Sequence, residues 1–265
     1  MNSPGQHTPV RPGDRSWWER RLDADHSLGL RLTLASVATF LVLVPFGLLA
    51  VLVLGAWPPL HDLDATVTHA LHGYALDHPA WVRAMTVWTN VFGPGPLRIA
   101  ALAVVVWLWH RRARRLALWV VTTMAVGGLL GALLKLLVGR HRPDLLDPVA
   151  RAAGFAFPSG HALNAALAAG VLLLVFLPFT RDRPGSRLAL WLAAVLLTVV
   201  TGWSRIALGV HWTSDVVGGW VLGVAVVAGT AAAFTTWRGQ VGLRPTRPAT
   251  EGVEPELADP DGPRA

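Results

Sequence analysis

The chain has 265 residues, 53% hydrophobic and only 15% charged, with a formal net charge of +7. Soluble domains carry about 25% charged residues, so the composition argues against a water-soluble protein and turns the basic excess toward an anionic lipid surface rather than nucleic acid. Cysteine is absent, which excludes a disulfide framework, a thiolate metal site and a cysteine nucleophile.

In chain order, residues 1–28 are rich in Pro, Gly and charge and read as a disordered cytoplasmic tail, with Trp17 and Trp18 at the membrane interface. Six apolar runs follow, at about 32–56, 96–110, 116–138, 161–179, 188–204 and 215–236. A helix needs roughly 20 apolar residues to cross a bilayer. The first run is too long for a signal-peptide core and reads as a retained span. The second reaches spanning length only if Arg98 snorkels to the interface. Residues 238–265 again have a tail composition.

Charge orients these spans. Arg11, Arg15, Arg20, Arg21 and Arg31 precede the first. Arg111, Arg112, Arg114 and Arg115 lie between the second and third, and Arg181, Arg183 and Arg187 between the fourth and fifth. Arg238, Arg244 and Arg247 follow the sixth. Six spans place all of these on one side, which the positive-inside rule makes cytoplasmic; five would split them. The expectation is an all-α, multi-pass bundle of six transmembrane helices over 29–237 in the cell membrane, with both termini cytoplasmic. The loops at 57–95, 139–158 and 204–215 then face outward. Within 57–95, Asp62, Asp64, His69 and His72 resemble a metal cluster. The alternation of that stretch favours an amphipathic helix on the outer leaflet instead.

Three polar clusters reach the outer face. "KLLVGRHRP" brings Lys135 and Arg142, with Arg140 and His141 flanking. "FPSGHALN" opens the fourth span, and "SRIALGVHWTSD" lies between the fifth and sixth. Lys135, Arg142 and Arg205 supply three cations, and the Arg fork suits phosphate oxygens. Ser159 adds a hydroxyl, Gly160 lets backbone approach a ligand, and free N–H groups at a helix start point at an anion. His211 and Asp215 are four apart and share a helical face, where the carboxylate can fix the imidazole tautomer. His161 is a second histidine, free to act as an acid. Taken singly, Arg205 could be a snorkelling residue, His211 and Asp215 a capping pair, and Ser159 an ordinary cap. Together they read as phosphoryl transfer through a histidine nucleophile.

At these positions the chain resembles the type 2 phosphatidic acid phosphatase (PAP2) superfamily, in its bacterial membrane lipid phosphatase branch. The signatures are K-x6-RP at 135–143, PSGH at 158–161 and SR-x5-H-x3-D at 204–215. The resemblance implies that His211 attacks phosphorus, Asp215 orients His211 and His161 protonates the leaving oxygen. Lys135, Arg142, Ser159, Gly160 and Arg205 would hold the phosphate, with no metal ion or other cofactor. The implied partners are a bilayer and a lipid phosphate such as undecaprenyl diphosphate, phosphatidylglycerophosphate or phosphatidic acid. A phosphotransferase using the same site, and a non-catalytic phosphate- or lipid-binding transporter, are the alternatives.

Overall fold

A computed structural model describes Phe40 and residues 43–180 and 182–240 of the chain. The N-terminal tail with Trp17 and Trp18, the start of the first apolar run, Arg181 and residues 241–265 of the C-terminal tail lie outside the described residues, while residues 238–240 are helical. Among the described residues eight α-helices follow in order: α1 (Leu43–Leu54), α2 (Pro58–Asp77), α3 (Pro79–Val91), α4 (Pro94–His110), α5 (Arg114–Val138), α6 (Gly160–Phe176), α7 (Pro184–Ala207) and α8 (Thr213–Gln240). A 3-10 turn, Leu177–Thr180, extends α6. No strand occurs among the described residues.

Helix starts and stops follow from the local sequence. Helices α2, α3, α4 and α7 each place Pro in the first turn, where its missing N–H costs no helical bond. Gly139 ends α5 with φ 62°, and its N–H donates to the Lys135 carbonyl at 3.0 Å, a left-handed stop that glycine adopts without a Cβ clash.

Five helical segments among the described residues are long and apolar enough to cross a membrane, or six if α1 and α2, bent by 88°, form one span. Helices α3 and α4 together make the first of these, Pro79–His110. The short run at 96–110 is therefore the apolar half of a longer helical segment, whose first half is broken by Arg83, Thr86, Thr89 and Asn90. The stretch 57–95, expected as an outer loop, is almost wholly helical. Large apolar side chains on α4, α5 and α7, among them Ile99, Leu129, Leu136 and Leu188, are exposed around the bundle. Such a surface would be a liability in water and is the ordinary solvation of a protein in lipid.

Helix α6 is the axis, packed against α4, α5, α7 and α8. Small residues let its neighbours approach. A Cβ on Gly219 of α8 would sit 2.7 Å from the Ser159 carbonyl and 2.9 Å from the Ala162 Cβ. Gly127 and Gly131 of α5 take the side chains of Leu167 and Leu163 in the same way. This is the small-residue packing by which helices associate where lipid supplies no hydrophobic drive. It fixes the starts of α6 and α8 beside each other, and those starts carry Ser159, His161 and Asp215.

Candidate active site

The ends of α5 and α7, the starts of α6 and α8 and the 139–158 segment converge at one end of the bundle. Gly209 turns the chain out of α7 with φ 67°, and a Cβ there would run into the Leu145 side chain at 2.6 Å. That turn delivers His211, whose side chain is 2% exposed. The N–H of Trp212 donates to Asp215 Oδ2 at 2.9 Å, so the third residue of α8 closes back over the helix start. His211 Nδ1 lies 3.4 Å from the same oxygen. On the other side of the ring, Arg142 Nη1 lies 2.9 Å from Nε2. A guanidinium only donates, so Nε2 is the bare acceptor and Nδ1 carries the hydrogen. Burial pulls the His211 pKa down to about 4; Asp215 opposes this, while Arg142 and Arg205 add to it. The ring is therefore neutral at pH 7, with its lone pair turned toward the cations.

Arg142 has all five N–H groups engaged. Besides His211, they meet the carbonyls of Val210 (2.6 Å), Gly154 (2.9 Å), Ala153 (3.1 Å) and, more loosely, Phe155 (3.4 Å). Burial lowers its pKa, partly offset by Asp215. Lys135, in the last turn of α5, donates to the Phe155 carbonyl at 2.7 Å. Arg205 is buried and donates from Nη1 to Thr89 Oγ1 at 3.0 Å. Its Nε has no partner, nor has the Oγ of the fully buried Ser159. Unsatisfied buried polar atoms are costly in an apolar surrounding, and these two belong to residues expected to meet phosphate. Gly160 lies beside the Lys135 stem, 3.9 Å from where its Cβ would be. His161 is half-buried in the first turn of α6, within electrostatic reach of Arg205, His211, Arg142 and Lys135. A Cβ on Gly93, at the α3–α4 break, would sit 3.4 Å from its Nε2.

The structure thus gathers all eight expected residues. It also adds three that the motifs do not specify, Arg140 and Ser214 at variable positions within them and Asp64 outside them. Arg140 Nη1 donates to Asp215 Oδ1 and its Nη2 to Asp64 Oδ2, both at 2.8 Å. Ser214 donates to Asp64 through its N–H at 2.9 Å and through its hydroxyl. Asp64 is fully buried. Asp64, Thr68, His72 and Ala75 form the inward face of α2, and their spacing of four, four and three is the one sequence signal that marks it. Asp62 and His69 are exposed while Asp64 and His72 are buried, so those four do not converge. No group of three or more His, Cys, Asp or Glu that could hold a metal occurs among the described residues. Among the described residues, Lys135, Arg142 and Arg205 have no carboxylate partner and remain for an anion; Arg140 is matched by Asp64 and Asp215.

A cavity of about 270 Å³ borders the site, and its lining includes Leu52, Val53 and Leu60 as well as Arg140, Arg142 and Trp212.

Residues 116–238 match the family model described as the PAP2 superfamily. An undecaprenyl-diphosphatase of Sulfolobus acidocaldarius is 28% identical over 151 residues, covering 54% of this chain and 66% of that protein. Phosphatidylglycerophosphatase B of Bacillus subtilis is 38% identical over 99 residues, covering 36% of this chain and 47% of that protein. The matched region thus spans between about half and just under two thirds of these relatives' lengths. A crystal structure of a transmembrane PAP2-type phosphatidylglycerolphosphate phosphatase from Bacillus subtilis has the same fold, with TM-score 0.65 at 23% identity, covering 79% of this chain and 98% of that one. Over residues 116–238, where its three signatures fold into one cluster, the chain is similar to the PAP2 superfamily.

Proposed function

We propose that the protein is a membrane lipid phosphatase that hydrolyses a phosphate monoester or diphosphate of a lipid through a phosphohistidine. The observation that carries this is the imidazole of His211, buried, neutral and held with Nε2 toward Arg142 by a carboxylate on Nδ1. Binding alone requires no such nucleophile, which counts against a transporter.

In this reading an incoming phosphate takes the Arg142 Nη1–H from His211 and exposes the Nε2 lone pair. Nε2 attacks phosphorus as the bond to the lipid oxygen breaks. His161 gives that oxygen its proton, and Asp215 stabilises the ring as it gains charge. Lys135, Arg142, Ser159, Gly160 and Arg205 bind the phosphate oxygens. Water, giving its proton to His161, then cleaves the P–N bond and releases phosphate. The cavity, lined by apolar side chains together with Arg140 and Arg142, suits a lipid phosphate entering from the bilayer. The names of the relatives favour undecaprenyl diphosphate and phosphatidylglycerophosphate, with phosphatidic acid beside them.

The basic clusters at 111–115 and 183–187 lie at the helix ends opposite Lys135, Ser159 and Asp215. That arrangement supports an extracytoplasmic site and cytoplasmic termini.

The test is phosphate release from these three lipids by purified protein, beside His211→Ala. The wild type should release phosphate from at least one and carry acid-labile, base-stable phosphate after a quench. Substantial turnover by the folded alanine variant would remove His211 from the role. Substrate loss without matching phosphate release would indicate transfer to another acceptor.

A further inference from the structure

We propose that Asp64, on α2 and outside the matched family segment, is a positioning residue that sets the geometry of Asp215 and, through it, His211. The inference rests on the phosphatase reading above. Asp64 reaches both neighbours of Asp215. Through space, it shares the Arg140 guanidinium with Asp215, one nitrogen to each carboxylate at 2.8 Å. Along the chain, it holds Ser214, the residue before Asp215, at both the backbone N–H and the hydroxyl. Arg140 Nη1 also donates to the Ser214 hydroxyl at 2.6 Å, so Asp64, Arg140 and Ser214 form a closed ring of charge-assisted bonds, to which Asp215 is tied through Arg140 and through its peptide bond to Ser214.

The ring has a chemical consequence. One oxygen of Asp215 is given to Arg140, and the other is left for Trp212 N–H and His211 Nδ1. Asp64 neutralises the far side of Arg140, so the guanidinium draws less on Asp215, and it fixes the plane in which Arg140 presents Nη1. The stacking of Arg140 over Trp212, 5.6 Å from the ring centroid, holds the same plane. A buried ion pair is a poor device for stability alone, since apolar residues of similar volume often serve as well. Two buried carboxylates around one Arg, each also bonded to the first turn of α8, instead define an orientation. Among the described residues Asp64 bonds Arg140 and Ser214 and none of the eight expected site residues directly, so its part is to position.

The test uses the full chain in lipid–detergent micelles and whichever lipid phosphate the wild type hydrolyses. Asp64→Asn keeps the shape and removes the charge. Its kcat per folded molecule should fall roughly 10- to 100-fold, by analogy with the outer-shell partners that orient metal-ligating histidines, while KM moves less than about threefold. Single-turnover phosphohistidine formation should slow by the same factor. Arg140→Gln should behave alike, and Asp64→Asn with Arg140→Gln should lose no more than the worse single, because the pair acts as a unit. Should the single variants not fold, Asp64→Glu keeps a charge opposite Arg140 but displaces the carboxylate by one methylene, and it decides the matter through kcat per folded molecule, which should fall with KM little changed; wild-type kcat would overturn the proposal. Wild-type kcat per folded molecule in Asp64→Asn or in the double variant, or losses that multiply, would overturn the proposal. A wild type that neither releases phosphate nor forms phosphohistidine would instead overturn the functional reading beneath it.

Discussion

His211 has each ring nitrogen assigned by a neighbour able to play one part only, Asp215 as acceptor at Nδ1 and Arg142 as donor at Nε2. Because its pKa is lowered to about 4, the ring stays neutral above that pH and protonates, losing its lone pair, as pH falls through it. The acid limb of kcat/KM, with the substrate's own ionisation divided out, should therefore lie well below the ordinary histidine value of 6.5; a limb at 6.5 would mean a solvated ring. His161 is separable by leaving group. An alkoxide needs a proton and a nitrophenolate does not, so His161→Ala should lose roughly 10²- to 10⁴-fold on a lipid monophosphate and far less on an aryl phosphate. Equal losses on both would make His161 a phosphate binder. These residues are legible in sequence because they fall in three motifs of short, fixed spacing. Asp64 is not, since its bond to Ser214 crosses 150 positions and nothing near it in sequence marks the partner.

Among the elements, α2 shows why periodicity misleads in this setting. Its polar residues Asp64, Thr68 and His72 face the protein, while Leu63, Tyr74 and Leu76 are exposed. A rule that turns apolar side chains inward reads such a helix inside out, which is why the stretch suggested either a metal cluster or a surface helix. The other helices were legible from length and apolar content, apart from α3, whose polar residues hid its continuity with α4. Helix α6 supplies the test at this scale. Gly219→Val would drive α8 away from the Ser159 carbonyl, and overpacking of this kind costs about 1–3 kcal/mol. A lower thermal midpoint in micelles should accompany reduced kcat, since Ser159 and Asp215 ride on the two helices displaced. Gly128 has nothing within 4 Å of its Cβ position, so Gly128→Ala should keep both properties.

For the molecule as a whole, the polar end and the arginine-rich end are separated by the length of the bundle. Trp107 and Trp109 sit under Arg111 and Arg114 at 5.9 and 5.3 Å, the pairing of aromatic and cation expected at a headgroup boundary. With no native Cys, Asp144→Cys should react with an impermeant thiol reagent added outside intact cells, and Ser186→Cys only after permeabilisation. The reverse pattern would place catalysis in the cytoplasm. Asp64 also bears on how this protein can be recombined with its relatives. The stretch that carries the signatures is not a self-sufficient cassette: grafted onto another membrane scaffold without α2, it would import Arg140 with half of its counter-charge missing. A working chimera must carry the upstream helix as well, or find in its new host an acidic side chain at the same place.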